Sequence, residues 1–109
     1  MEIADLIQEL IKRFGMRPEQ INNGWCWGFA EMVAESNKNA KVIKSDDYKD
    51  MFAGHYFIFL DGRYYDAENP EGVNEPQDLI YNQRMKAVIS GDKEALKILR
   101  NLAEKDPRK

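Results

Sequence analysis

The chain has 109 residues and a formal net charge of -3; that length can bury a core without staples, and an acidic balance argues against general nucleic-acid binding, which leaves a basic surface. Its 43% hydrophobic and 32% charged residues are those of a soluble globular protein, and no apolar run approaches the ~20 residues of a membrane span. One Cys cannot close an internal disulfide, one Cys and one His cannot build a closed zinc site, and no Gly-rich phosphate cradle is present.

The expectation is therefore one domain over residues 1–109, with no cofactor and no metal. The acidic start Met1-Glu2-Ile3-Ala4-Asp5 lacks the basic and apolar stretches of a signal peptide. A cytoplasmic protein is expected.

Ile3, Leu6, Ile7, Leu10, Ile11 and Phe14 recur at the three-and-four spacing of an amphipathic helix over roughly residues 2–14. Gly15 can end it in a left-handed cap, and Pro18 interrupts any continuation. Asn22, Asn23 and Gly24 suit a turn leading into a second helix, which begins at or just before Cys26 and runs to about Asn37. Cys26, Phe29, Ala30, Val33 and Ala34 form its buried face.

Residues 40–45 read as a short strand or an extended connection, and 46–52 as a brief helical turn. His55-Tyr56-Phe57-Ile58-Phe59-Leu60 carries the strongest strand signal. Asp61-Gly62 is a favoured hairpin turn, and Arg63 to Ala67 is the returning arm. Residues 68–78, punctuated by Pro70, Gly72 and Pro76, read as a loop, and 80–89 as strand or helix. Ser90 or Asp92 caps a final helix carrying Ala95, Leu96, Leu99, Leu102 and Ala103, and residues 106–109 are a frayed end. The fold class expected is α+β, with N-terminal helices packed on a small antiparallel sheet.

The chemistry concentrates on three residues. A thiol attacks carbonyl carbon as the thiolate, and a helix N-terminus favours that form, which gives the position of Cys26 a physical reason. The ordinary alternative for Cys26 is a small buried apolar side chain. His55 is the one histidine, able to activate a thiol and to protonate a leaving amine. If Asp61-Gly62 form a two-residue turn, Phe59 faces Tyr64 and Phe57 faces Asp66. That register sets Asp66 diagonal to His55 on one face, where a carboxylate can fix the imidazole's tautomer. Gln20 and Asn23, with the backbone N–H of Cys26, are the candidate donors to a tetrahedral oxyanion.

Gln20, six positions ahead of Cys26, with Gly24 and then Cys26-Trp27-Gly28-Phe29-Ala30, resembles the active-site segment of the papain family. The resemblance implies a papain-like core, Cys26 as nucleophile and Gln20 as oxyanion donor. His55 follows Cys26 by 29 positions, where the papain pattern places it roughly 130 or more downstream. The arrangement is more similar to compact NlpC-type and transglutaminase-like relatives, and the run from His55 to Asp66 resembles the transglutaminase-like His…Asp hairpin. That resemblance implies His55 as general base and acid and Asp66 as its orienting group, with Asn69 the alternative third member.

The function expected is hydrolysis of a peptide, isopeptide or peptidoglycan-like amide by acyl transfer through a thioester, with no nucleic acid or membrane as partner. Transfer to a second amine is the nearest variant. A catalytically inert peptide-binding module is the competing class, with Trp25, Trp27, Tyr56, Tyr64 and Tyr65 as groove candidates. Residues 61–78 hold six acidic side chains against one Arg, a field that favours lysine-bearing substrates if it reaches the site.

Overall fold

The computed structural model describes residues 2–48 and 54–106. The apolar stripe of the N-terminal segment forms α1 (Ile3–Phe14), with Ile7 and Leu10 buried and Ile3, Leu6, Ile11 and Phe14 packed against the core. Gly15, at φ 74°, ends it by donating its N–H to the Ile11 carbonyl. Pro18 opens a further helix instead of merely stopping the first. Its missing N–H costs nothing at the first helical position, and α2 (Pro18–Asn22) follows. Asn22, expected in a turn, is the last residue of that helix and is buried.

The chain then re-enters helix as α3 (Cys26–Ser36), burying Cys26, Phe29, Ala30 and Val33. The Trp25 N–H, bonded to the Ile21 carbonyl at 2.9 Å, ties the end of α2 to the start of α3. Phe14 stacks on Phe29 at 5.8 Å and meets Trp25 edge-on, so α1 and α3 share one packed layer.

Four antiparallel strands, in the order β1-β2-β3-β4, form one sheet: β1 (Lys41–Lys44), β2 (Tyr56–Leu60), β3 (Arg63–Asp66) and β4 (Asn69–Val73). The fold is α+β. Asp61 and Gly62 both have positive φ, 50° and 80°, as a twist-matched two-residue hairpin requires. The pairs Phe59 with Tyr64 and Leu60 with Arg63 are those of the expected register.

Side chains of β2 alternate between faces. Ile58 and Leu60 join the helical layer's core, while Phe57 and Phe59 meet Tyr64 on the other face. Of residues 40–45, Lys41–Lys44 are strand, since β1 finds a partner in β2.

The segment read as a loop after the hairpin contains β4, and this is a correction. Pro70 hides a strand in a pattern reading, yet an edge strand needs only one side of its backbone bonded. β3 and β4 pair with a register shift between Tyr64 and Asp66. Gly72, at φ 81°, has no room for a side chain, because a Cβ there would sit 2.6 Å from Cε1 of Tyr65.

A 3-10 turn (Pro76–Asp78) leads into α4 (Ile80–Ile89), so the ambiguous segment is helical. Asp92, not Ser90, caps α5 (Lys93–Glu104), accepting from the N–H groups of Glu94 and Ala95. Ser90 instead returns its hydroxyl to the Lys86 carbonyl at the end of α4. The turn expected over 46–52 is a 3-10 turn at Ser45–Asp47, and its remainder from 49 lies outside the described residues, as do residues 107–109 of the expected frayed end. Among the described residues no helix is long and apolar enough to cross a membrane.

Candidate active site

Cys26 is the first residue of α3 and is buried, at 7% relative exposure. The first-turn N–H groups of a helix lack intrahelical acceptors and carry partial positive charge. The thiol lies 3.8 Å from the Gly54 carbonyl oxygen. Burial by itself pushes the thiol pKa up. The hydrogen-bonding pull and charge of His55, with the N–H groups of Tyr56 and of Cys26 itself, outweigh burial and bring it below its ordinary value.

His55 directly precedes β2 and is fully buried. Its backbone is pinned twice by the buried Ser45, whose hydroxyl oxygen accepts the His55 N–H at 2.9 Å and whose own N–H reaches the His55 carbonyl at 2.8 Å. Gly54, just before it, donates its N–H to Asp46 Oδ1 at 2.7 Å.

The imidazole Nε2 lies 2.9 Å from Asp66 Oδ2. The buried Nδ1 has no conventional hydrogen-bond partner among the described residues and is the ring nitrogen left for the thiol. Burial by itself lowers the imidazole pKa. Asp66 and Cys26 reverse that and raise it above its ordinary value.

Asp66 closes β3 and is oriented by the chain that follows it. Its Oδ1 accepts the N–H groups of Glu68 and Asn69, both at 3.0 Å, which leaves Oδ2 for the imidazole. Asn69, the alternative third member, directs its Oδ1 to the Ile80 N–H at the start of α4. Of the two, Asp66 is the partner of His55.

Gln20 is engaged elsewhere. Its Oε1 accepts the Arg17 N–H at 3.1 Å, closing the cap of α2, and its Nε2 donates to the Lys105 carbonyl at 3.3 Å. The position that matches the papain segment therefore serves a helix cap, because Pro18 starts a helix there. Asn23 follows α2 as its C-cap, donating its backbone N–H to the Gln20 carbonyl. The backbone N–H of Cys26 is the oxyanion candidate that already lies beside the thiol.

Four site residues escape sequence reasoning. Tyr81 of α4 stacks on His55 with ring centroids 3.9 Å apart and planes 24° from parallel. Burial, reinforced by the negative field of Cys26, pushes its phenol up to about 12. One turn on, Arg84 lies 5.7 Å over the Tyr81 ring and forms a two-pronged, largely buried ion pair with Glu68, at 2.9 and 2.6 Å. Glu68 also accepts from Asn22 Nδ2 at 3.1 Å. Tyr81 and Arg84 share a face only once residues 80–89 are known to be helical, and nothing local marks Asn22 as a partner of a residue 46 positions away.

Of the six acidic residues in 61–78, Asp66 and Glu68 are thus spent on internal partners, which weakens the acidic field expected there. Trp27, beside the thiol in sequence, is 60% exposed. A cleft of about 430 Å³ lies across Glu68 between α1, α2 and the start of α4, lined by Ile11, Pro18, Ala67, Pro70 and Ile80, and Cys26 and His55 do not line it. Among the described residues no group of three or more His, Cys, Asp and Glu side chains is arranged to hold a metal ion.

The chain matches no protein-family model, no curated protein and no solved structure. The geometry of the site stands as the ground for a functional reading.

Proposed function

We propose that this chain is a compact, papain-like cysteine hydrolase, a peptidase or amidase, with a Cys26–His55–Asp66 triad. One observation carries the reading: a buried imidazole held 2.9 Å from a carboxylate through Nε2 keeps Nδ1 free among the described residues, and the thiol at a helix N-terminus lies 3.8 Å from the carbonyl of the residue just before that histidine.

In this mechanism the Cys26 thiolate attacks the amide carbonyl carbon, and the Cys26 N–H steadies the oxyanion. The C–N bond breaks as the His55 imidazolium passes its proton to the leaving amine, and a thioester remains on Cys26. His55 then takes a proton from water, whose oxygen attacks the thioester. The C–S bond breaks, the acid is released, and the Cys26 thiolate and His55 imidazolium are restored. Asp66 holds the imidazole's tautomer and stabilises its cation. A peptide, isopeptide or peptidoglycan-like amide is the substrate class, and the exposed Trp27 is a surface for its side chains. A reducing, cytoplasmic compartment suits a catalytic free thiol.

The test is the pH dependence of Cys26 alkylation by iodoacetamide in the wild type and in His55→Gln. The expected profile is a thiolate reactive well below the ordinary thiol pKa of about 8.5, returning to ordinary behaviour in the variant. An ordinary profile in both overturns the reading. One observation favours the competing class, an inert peptide-binding module: the Gln20 amide is tied to Arg17 and Lys105, away from oxyanion duty. With a reactive thiol in hand, product analysis with and without an added primary amine separates hydrolysis from transglutaminase-like transfer.

A further inference from the structure

The imidazole of His55 is held at one edge, where Nε2 lies 2.9 Å from Asp66, and that contact does not prevent the ring from tilting out of its plane. Only a contact on the ring's face does that. Tyr81 supplies it, stacking nearly parallel at 3.9 Å, while Phe57 stacks more loosely at 5.8 Å. The stack is itself anchored. Arg84, one turn along α4 and over the Tyr81 ring, is clamped to Glu68, two residues after Asp66, and Glu68 is bonded to Asn22, four residues before Cys26. The same buried clamp therefore joins α4 to the segments that carry the carboxylate and the thiol.

We propose that Tyr81 is a positioning residue, whose ring holds the His55 imidazole so that Nε2 stays on Asp66 and Nδ1 stays free to serve Cys26. This inference rests on the cysteine-hydrolase reading of the site. The aromatic face also favours the cationic imidazolium that the thiolate pairs with. The titratable and charged groups that face His55 are Cys26 from α3, Asp66 from β3 and Tyr81 from α4, with Arg84 and Glu68 behind Tyr81. The ring makes the contact, so phenylalanine should replace tyrosine and an aliphatic side chain should not.

His55 is the only histidine in the chain, so its two ring nitrogens can be followed without ambiguity by ¹⁵N NMR of histidine-labelled protein. The experiment compares wild type, Tyr81→Phe, Tyr81→Leu and Tyr81→Met, the last keeping more of the buried volume should the leucine variant fail to fold. In wild type and Tyr81→Phe, the neutral ring is expected as one tautomer, protonated on Nε2. In the aliphatic variants the two nitrogen shifts should move toward each other, and iodoacetamide alkylation at about pH 6 should slow about thirtyfold, the scale of a desolvated cation–aromatic contact. A merely structural role for Tyr81 lowers the melting temperature and leaves the ring shifts where they are.

Unchanged ring shifts in the aliphatic variants overturn the inference, whatever happens to stability. The two readings fail separately. An ordinary alkylation profile in wild type, with ring shifts that still depend on Tyr81, removes the hydrolase and keeps the positioning role. Low-pH alkylation that persists in the aliphatic variants, with unchanged ring shifts, does the reverse.

Discussion

Asp66 shows how one carboxylate does two jobs, with Oδ1 bonded to two backbone N–H groups and Oδ2 to the imidazole. Asp66→Asn can keep the turn while offering an N–H where the imidazole needs an acceptor. The imidazole then shifts its proton to Nδ1, away from the tautomer the thiol needs. Alkylation of Cys26 near neutral pH is expected to fall about tenfold or more with little loss of stability; equal rates in variant and wild type refute the role. Glycine substitutions provide a comparison at the same scale. Gly62 and Gly72 both have positive φ, but a Cβ meets nothing within 4 Å at Gly62 and the Tyr65 ring at 2.6 Å at Gly72. Gly62→Ala should cost about 1 kcal/mol for backbone strain alone. Gly72→Ala adds overpacking and should cost about 2–4 kcal/mol in urea unfolding.

Among the elements, α4 depends most on a single interaction. The Arg84–Glu68 pair has side-chain exposures of 9% and 6%, and removing one partner strands a buried charge. Arg84→Met is expected to destabilise by about 3–5 kcal/mol, and the double variant Arg84→Met with Glu68→Gln by distinctly less. Additive losses in a double-mutant cycle would show that the pair is not the clamp. The cap of α5 is a milder case. Asp92→Ala should cost about 1 kcal/mol through two unmet N–H groups, and Ser90→Ala much less.

For the whole molecule, the thiol and the imidazole tie stability to pH in opposite senses. His55, raised above its ordinary 6.5, contributes stability that is fully present below that value and is lost as pH rises through the folded pKa. Cys26, lowered from 9.0, contributes stability present above that value and lost as pH falls through the folded pKa. The wild-type advantage over Cys26→Ser in urea unfolding should therefore grow as pH rises from acid and decline again at alkaline pH, as His55 loses the proton that Cys26 helps it keep. A difference that stays flat with pH would mean the folded thiol titrates as it does in the unfolded chain.

Much of the fold is legible in the sequence because its signals are local. The stripe of α1 with Gly15 after it, the thiol at the head of α3 and the Asp61-Gly62 turn each follow from neighbours a few residues apart. The turn alone sets the pairing of Phe59 with Tyr64, and with it the side of the sheet on which His55 and Asp66 meet. Tertiary structure decided what depends on distant partners. Strand β4 exists because β3 bonds it despite Pro70, and residues 80–89 are helical with Tyr81, Asn82 and Met85 buried. Gln20 has the spacing of an oxyanion donor, yet Pro18 starts a helix that takes its amide as a cap and Lys105, 85 positions away, takes the rest. The stack of Tyr81 on His55 and the clamp from Arg84 through Glu68 to Asn22 join residues far apart in the chain. No local pattern encodes them, because their energy comes from burial and pairing that exist only after the chain has folded.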